Sequence, residues 1–479
     1  MIGFFLRIYH LGSQSLWLDE VVQINISEKP AATIIENIKA SADNLPPFFH
    51  ILLHYWLYFG KSEFAMRLLP SILGTASIYL FFLLGRLLFN KEIGLISALL
   101  ISISSFHIWY SQEVRMYSLV ILLSITSVIF FLKSIRENYY LAWSGYVLTT
   151  TLGLYTHPYI IFLIIFENSF MVLMWKKYQC VFKKLVLSQV VIGLFYLPWM
   201  FIYINLINNS AGFAQNIGIM VFPYTFFAFS VGFSVGPSIA ELHLYHSISL
   251  CLPYLFELIP VTIIFGVIFI VGLQALVKDK EKAIFLLLHL GIPMLGSFLI
   301  VQHTNITYNV RYVCMSLPAY YLILASGISH VKRKGYRACF ILLLILCSSF
   351  SLNNYYFNEK YAKEDYREVT KYIGTNAILN DVILITAPSL LVPFNYYYSG
   401  WLQRYSFMAN QIFINSKISN KAKQELQKYR RVWLILGRLW ESDPENLTKS
   451  YFDKNYRRID SKKFSGLEVI CYEKNIDLE

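Results

Sequence analysis

The stretch FAMRLLPSILGTASIYLFFLLGRLLF, Phe64 to Phe89, carries only two charges, Arg67 near its start and Arg86 near its end. A bilayer core of about 30 Å takes about 20 apolar residues of helix, so this run reads as a membrane span. Runs of similar character recur at 93–109, 116–132, 139–156, 158–175, 185–204, 254–277, 283–302, 312–330 and 337–353. Two further segments, His50 to Phe59 and Ile217 to Phe233, are apolar but short or broken by Gly and Pro, and either lies in the interface or re-enters. The pattern predicts an α-helical multi-pass membrane protein of about ten to twelve transmembrane helices.

Composition agrees. The 479 residues are 56% hydrophobic and 15% charged, where a soluble domain carries about 25% charged residues. The net charge of +12 does not form the basic stripe of a nucleic-acid binder, because Lys and Arg sit in short clusters between apolar runs. Six cysteines with no C-x-x-C pair indicate neither a disulfide framework nor a zinc site.

Loop charge sets the orientation. One alternate set of loops carries Arg86 and Lys91, Lys133 and Arg136, Lys176-Lys177 with Lys183-Lys184, Lys278-Lys280-Lys282, and Lys332-Arg333-Lys334-Arg337. After residue 68 the opposite loops carry only Arg115 and Arg311. The positive-inside rule makes the basic set cytoplasmic. Everything before Phe64 and the last 126 residues then face outward, and the segment Asn205 to Pro253 makes no net crossing or crosses an even number of times. That tail, 354–479, holds 19 of the 41 Lys and Arg and 15 of the 29 Asp and Glu. It reads as a small extracytoplasmic α/β domain, with a helix over Ala362–Tyr372 and strands over Asp381–Thr386, Arg431–Leu436 and Leu467–Tyr472. The expected domains are 1–353 in the membrane and 354–479 outside it. Met1 to Tyr9 is too short to span, which predicts a native start upstream of Met1, with about 10–15 further apolar residues completing a first helix.

Outward polar residues are few. Trp17-Leu18-Asp19-Glu20 and Asp43-Asn44-Leu45-Pro46-Pro47 fall in a first loop of about 10–63, and Arg67 lies at the mouth of a span. A second loop, about 107–117, reads Trp109-Tyr110-Ser111-Gln112-Glu113-Val114-Arg115-Met116-Tyr117, and His157, His243, His246 and Arg311 follow. Acids and arginines on one membrane face suit group transfer from a lipid-linked phosphate. Arginine holds phosphate with paired, charge-assisted hydrogen bonds, and a carboxylate takes the proton from an attacking hydroxyl or amide. Plainer readings stand beside this. Asp19-Glu20 could cap a helix, Arg67 and Arg115 could be snorkelling anchors, and His157 could be structural. Glu167 lies within an apolar span with no basic partner in its own helix. Paired acids in two loops could also share a divalent cation, so metal use stays open.

In order along the chain, S-L-W-L-D-E (Ser15–Glu20), D-N-L-P-P-F-F (Asp43–Phe49), F-A-M-R-L-L-P-S-I-L-G (Phe64–Gly74), Y-S-Q-E-V-R-M-Y-S-L (Tyr110–Leu119), L-Y-T-H (Leu154–His157) and R-Y-V-C-M-S-L-P (Arg311–Pro318) resemble the GT-C glycosyltransferases. The likeness is to the family-39-like branch, related to protein O-mannosyltransferases and the lipid A aminoarabinose transferase. It is good to about residue 160, patchy beyond, and returns near Arg311. Leu45 stands where the family usually has His before the Pro-Pro pair, and the family's first transmembrane helix is here a stub. The resemblance implies a cytoplasmic-membrane enzyme with an outward site and a polyprenyl-phosphate-linked sugar donor, acting on a protein, lipid or cell-envelope glycan. It implies Asp19 as catalytic carboxylate with Glu20 beside it, Glu113 as second-loop acid, and Arg67, Arg115 and Arg311 facing the donor phosphate. The alternative class is a transporter or flippase of lipid-linked sugars. Such a protein would carry internal repeats and mid-membrane polar residues, whereas this chain shows no repeat and clusters its acids in loops, with only Glu167 leaning the other way.

Overall fold

The computed structural model describes residues 1–41, 45–208, 218–244, 248–304, 307–406, 413–414, 417–418, 424–426 and 428–474. Asp43, Asn44 and His246 lie outside the described residues. The chain divides into two compact units. The larger comprises Met1–Leu11, Gln23–Val235 and Phe256–Asn353, and the smaller Gly12–Val22, Gly236–Leu255 and Asn354–Glu479.

The larger unit is helical, and all ten expected spans fall on its helices. Among the described residues seven helices are long and apolar enough to cross a membrane: Glu63–Leu88, Tyr117–Glu137, Trp175–Leu206, Ser249–Leu276, Lys280–His303, Val310–His330 and Lys334–Phe357. The span expected at 93–109 is a broken pair, Lys91–Ser102 and Ser105–Ser111, bent by 61°. Ser104 causes the break to restart as a helix, since its hydroxyl accepts from the His107 N–H at 3.2 Å. The spans expected at 139–156 and 158–175 are shorter, Tyr140–Leu154 and Pro158–Leu173. Fifteen residues reach only about 22 Å. What shortens both is the turn between them, where the ring nitrogen of His157 accepts from the Tyr159 N–H and Pro158 removes a donor. The two segments of ambiguous reading form the short apolar helices Phe48–Phe59 and Val221–Val231.

Burial separates inner from outer helices. Tyr117–Glu137 and Val310–His330 are buried along most of their length. Trp175–Leu206, Ser249–Leu276 and Lys334–Phe357 instead expose large apolar side chains such as Leu187, Phe201, Ile263 and Leu346, the surface lipid would cover. Ser249–Leu276 meets Val310–His330 at glycines. A Cβ on Gly327 would lie 2.3 Å from the Ile268 carbonyl oxygen, and one on Gly272 would lie 2.1 Å from that of Ile323. Such small-residue crossings let membrane helices touch backbone to backbone.

The smaller unit is built on a five-stranded sheet of β1 (Asp381–Ile385), β2 (Gln403–Ser406), β3 (Arg431–Leu436), β4 (Tyr456–Phe464) and β5 (Leu467–Lys474). Their order is β2-β1-β3-β5-β4. β1 pairs in parallel with β2 and β3, while β5 runs antiparallel to β3 and to β4. The central strands alternate their side chains between two cores. Ile383, Ile385, Trp433 and Val469 face one, and Val382, Leu384, Val432 and Ile470 the other. The expected helix over 362–372 begins later, at Tyr366–Asn376, because Asp365 caps it by accepting from the Glu368 N–H. Asp381 ties β1 to β3, accepting from Arg431 Nε at 2.9 Å and Nη2 at 2.7 Å and from Trp433 Nε1 at 2.8 Å.

Candidate active site

The second-loop motif is held tightly. Helix Ser105–Ser111 ends at Gln112, whose Nε2 lies 3.3, 3.0 and 2.8 Å from the carbonyl oxygens of Leu6, Arg7 and Tyr9. Ser71 donates to the Ser111 carbonyl at 2.8 Å, and Ser118 to that of Tyr110 at 2.9 Å. Between these anchors the chain turns sharply, with the Arg115 N–H donating to the Glu113 carbonyl at 2.7 Å. The Glu113 side chain is fully buried, and its Oε1 accepts from Trp109 Nε1 at 2.7 Å. Arg67 and Arg115 are 2% and 5% exposed, so neither is a snorkelling anchor with its head in water. Arg67 donates from Nη1 to the Leu11 carbonyl at 3.2 Å.

Arg311 comes from the turn ahead of Val310–His330, where Asn309 accepts from the Arg311 N–H at 3.2 Å. Its guanidinium lies 5.4 Å from the Tyr117 ring centre and 5.5 Å from that of Tyr312, within cation–π range. The His157 ring sits 6.2 Å from Tyr117 and 5.5 Å from Tyr312. Burial first, and then the positive charges of Arg311 and Arg115, push His157 down to about 3. The imidazole therefore stays neutral near pH 7, and both arginines act on the same ring. The structure thus gathers Arg115, Arg311, His157 and Tyr117 beside the Glu113 turn.

Asp19 and Glu20 belong to the smaller unit. They lie in the first turn of Leu18–Ser27, where the helix dipole favours negative charge, one and two residues inside the helix rather than at its cap. Glu20 is fully buried; its Oε2 lies 3.3 Å from Lys363 Nζ and 3.4 Å from the Trp17 N–H nitrogen. Asp19 is half-buried. His243 stacks on Trp440, with ring centres 5.4 Å apart. Glu167 stands apart from these groups and accepts from the Tyr146 hydroxyl at 2.5 Å, while Gln189 on a third helix donates to that hydroxyl at 3.3 Å. Among the described residues no three His, Cys, Asp or Glu are placed to hold a metal ion.

Sequence reasoning missed three contacts, those of Trp109, Gln112 and Lys363. The Trp109–Glu113 contact follows a helical i, i+4 spacing that could have shown it. Gln112 and Lys363 carry no local signal, because their partners lie about a hundred or more residues away in sequence.

The fold of this chain is similar to that of two solved proteins. ArnT from Cupriavidus metallidurans in the apo state matches with a TM-score of 0.60 at 10% identity, covering 97% of this chain and 95% of that one. The same protein bound to undecaprenyl phosphate matches at 0.52 and 10% identity, over 98% and 96%. The archaeal oligosaccharyltransferase AglB from Archaeoglobus fulgidus, in complex with an inhibitory peptide and a dolichol-phosphate, matches at 0.50 and 14% identity, over 91% and 67%. At these identities the likeness is one of fold. Within the chain, residues 44–202 match the family model described as dolichyl-phosphate-mannose-protein mannosyltransferase. No curated protein sequence matches.

Proposed function

We propose that this chain is a glycosyltransferase that moves a sugar from a polyprenyl-phosphate-linked donor to a protein, lipid or cell-envelope glycan on the outer face of the cytoplasmic membrane. The observation that carries the reading is Arg311 packed on Tyr117, which stands near His157 and two residues from the buried Glu113–Arg115 turn, in a fold shared with a protein solved with undecaprenyl phosphate bound. Arg67, Arg115 and Arg311 hold the donor phosphodiester, which carries one negative charge, and answer the second charge that develops on the departing polyprenyl phosphate. Asp19 takes the proton of the acceptor hydroxyl or amide as its lone pair attacks the anomeric carbon. The bond to phosphate oxygen breaks, and polyprenyl phosphate leaves with the electron pair. A single displacement inverts the anomeric centre, and Glu113 offers a carboxylate to the oxocarbenium-like charge that builds there.

Orientation has its own support. The smaller unit unites Gly12–Val22, Gly236–Leu255 and Asn354–Glu479, the three regions that loop charge assigns to one side of the membrane. Segments that pack into one unit share a compartment.

The test is turnover. Protein in liposomes, supplied with a panel of undecaprenyl-phosphate sugars and envelope extract, is expected to release free undecaprenyl phosphate. Asp19→Asn keeps the shape and removes the base, and should lower that rate about 10²–10⁴-fold. A sugar that crosses the bilayer with its carrier still attached would replace this reading with a flippase, and an Asn variant of normal rate would remove Asp19 from its role.

A further inference from the structure

We propose that Lys363 is a positioning residue for the Asp19–Glu20 pair; the proposal rests on the glycosyltransferase reading above. The Lys363 side chain is 6% exposed and that of Glu20 is 0% exposed, with Nζ and Oε2 at 3.3 Å. A carboxylate in such surroundings is costly unless a cation answers it. Both ends of this pair are fixed by neighbours. The Lys363 N–H donates to Gln14 Oε1 at 3.1 Å, and its ammonium lies 5.6 Å from the Trp17 ring centre. Ser15 donates to the Glu364 carbonyl at 2.6 Å and accepts from the Tyr366 N–H at 3.2 Å. The Leu16 N–H donates to the Tyr397 hydroxyl at 2.7 Å. The Glu364 carboxylate is gripped by Arg438 at 2.6 and 3.0 Å. Residues 14–16 are therefore laid along 363–366 before the helix begins.

The consequence for Asp19 is rotational. Consecutive helical residues point about 100° apart. Drawing Glu20 inward to Lys363 turns Asp19 away from that contact, and Asp19 is indeed the less buried of the two. Lys363 thus sets the direction of the catalytic carboxylate without touching substrate.

The test uses the full-length protein in liposomes and four variants: Lys363→Met, Lys363→Arg, Glu20→Gln and the double Glu20→Gln/Lys363→Met. Readouts are kcat and donor KM for undecaprenyl phosphate release, and binding of undecaprenyl phosphate alone. Misplacing a catalytic group by about 1 Å can cost about 10²-fold, so Lys363→Met should lose at least about tenfold in kcat. Donor KM and carrier binding should stay within about twofold, because the loss falls on the chemical step. Lys363→Arg should recover most of the rate, and the double variant should equal Glu20→Gln alone. Unchanged kcat in Lys363→Met overturns the proposal, as does a joint loss of rate and carrier binding that Arg does not rescue. If Lys363→Met does not fold, the comparison of Glu20→Gln with the double variant decides, and a further drop in the double overturns the role. A parent that releases no carrier overturns the glycosyltransferase reading itself, a result distinct from an active parent indifferent to Lys363.

Discussion

Arg67 and Arg115 show how little a residue type says before its surroundings are known. Each sits near the end of an apolar run, where an arginine usually snorkels to water, yet both are buried. Burying a guanidinium is costly and is sustained by acceptors that answer it. A phosphate offers such acceptors, and a charged hydrogen bond to it is worth roughly 1.5–3 kcal/mol. Arg67→Ala and Arg115→Ala should each raise the donor KM about tenfold or more, by the same energy. Steady-state kinetics against donor concentration measures this, and two variants with the parent's KM would reduce both arginines to structural anchors. The acid and arginine of the second loop were legible in sequence because they stand two residues apart. The Lys363 partner of Glu20 was not, since 343 residues separate them and no local pattern records such a contact.

At the scale of elements, long apolar runs revealed the spans and could not reveal how they bend. The sequence Ile101–Phe106 stays apolar enough to pass as continuous helix, and only the Ser104 cap marks the break. In the sheet, β1, β3 and β5 were legible as apolar runs. β4 was not, because Arg457, Arg458, Asp460, Lys462 and Lys463 crowd it. It is held as an edge by its pairing with β5, and its charges discourage pairing with another chain. The Gly272–Gly327 crossing gives a prediction at this scale. Gly327→Val would drive a side chain into the Ile268 carbonyl, and overpacking costs typically about 1–3 kcal/mol. The midpoint of thermal unfolding in detergent should fall clearly for Gly327→Val. Gly266→Ala, which meets nothing within 4 Å, should leave it in place. Equal midpoints would show that the two helices do not depend on this approach.

For the whole molecule, the sidedness is the exposed claim. A reporter active only outside the cytoplasm, fused after Glu479, is expected to be active, and one inserted in the loop of Lys332 to Arg337 silent. The reverse pattern would move the acids and arginines to the cytoplasmic face and end the proposed use of an outward donor. Sequence showed the tail as a separate polymer through its charge density. It could not show that Gly12–Val22 and Gly236–Leu255 join that tail in one unit, because that grouping arises from contacts between distant parts of the chain.

That grouping also fixes when the molecule can become competent during its own synthesis. Ser15 finds its acceptor on Glu364, 349 residues later, and Glu364 is in turn held by Arg438. At about 5–20 residues per second, a ribosome needs roughly 20–70 s to cover those 349 residues. Through that interval the acid-bearing helix lacks Lys363, Glu364 and Tyr397, to which it and residues 14–16 are tied, while one apolar span after another enters the bilayer. A half-made chain therefore holds its acids in an unset posture, and a message cut short before Arg438 would yield a membrane-embedded protein with no capacity for transfer.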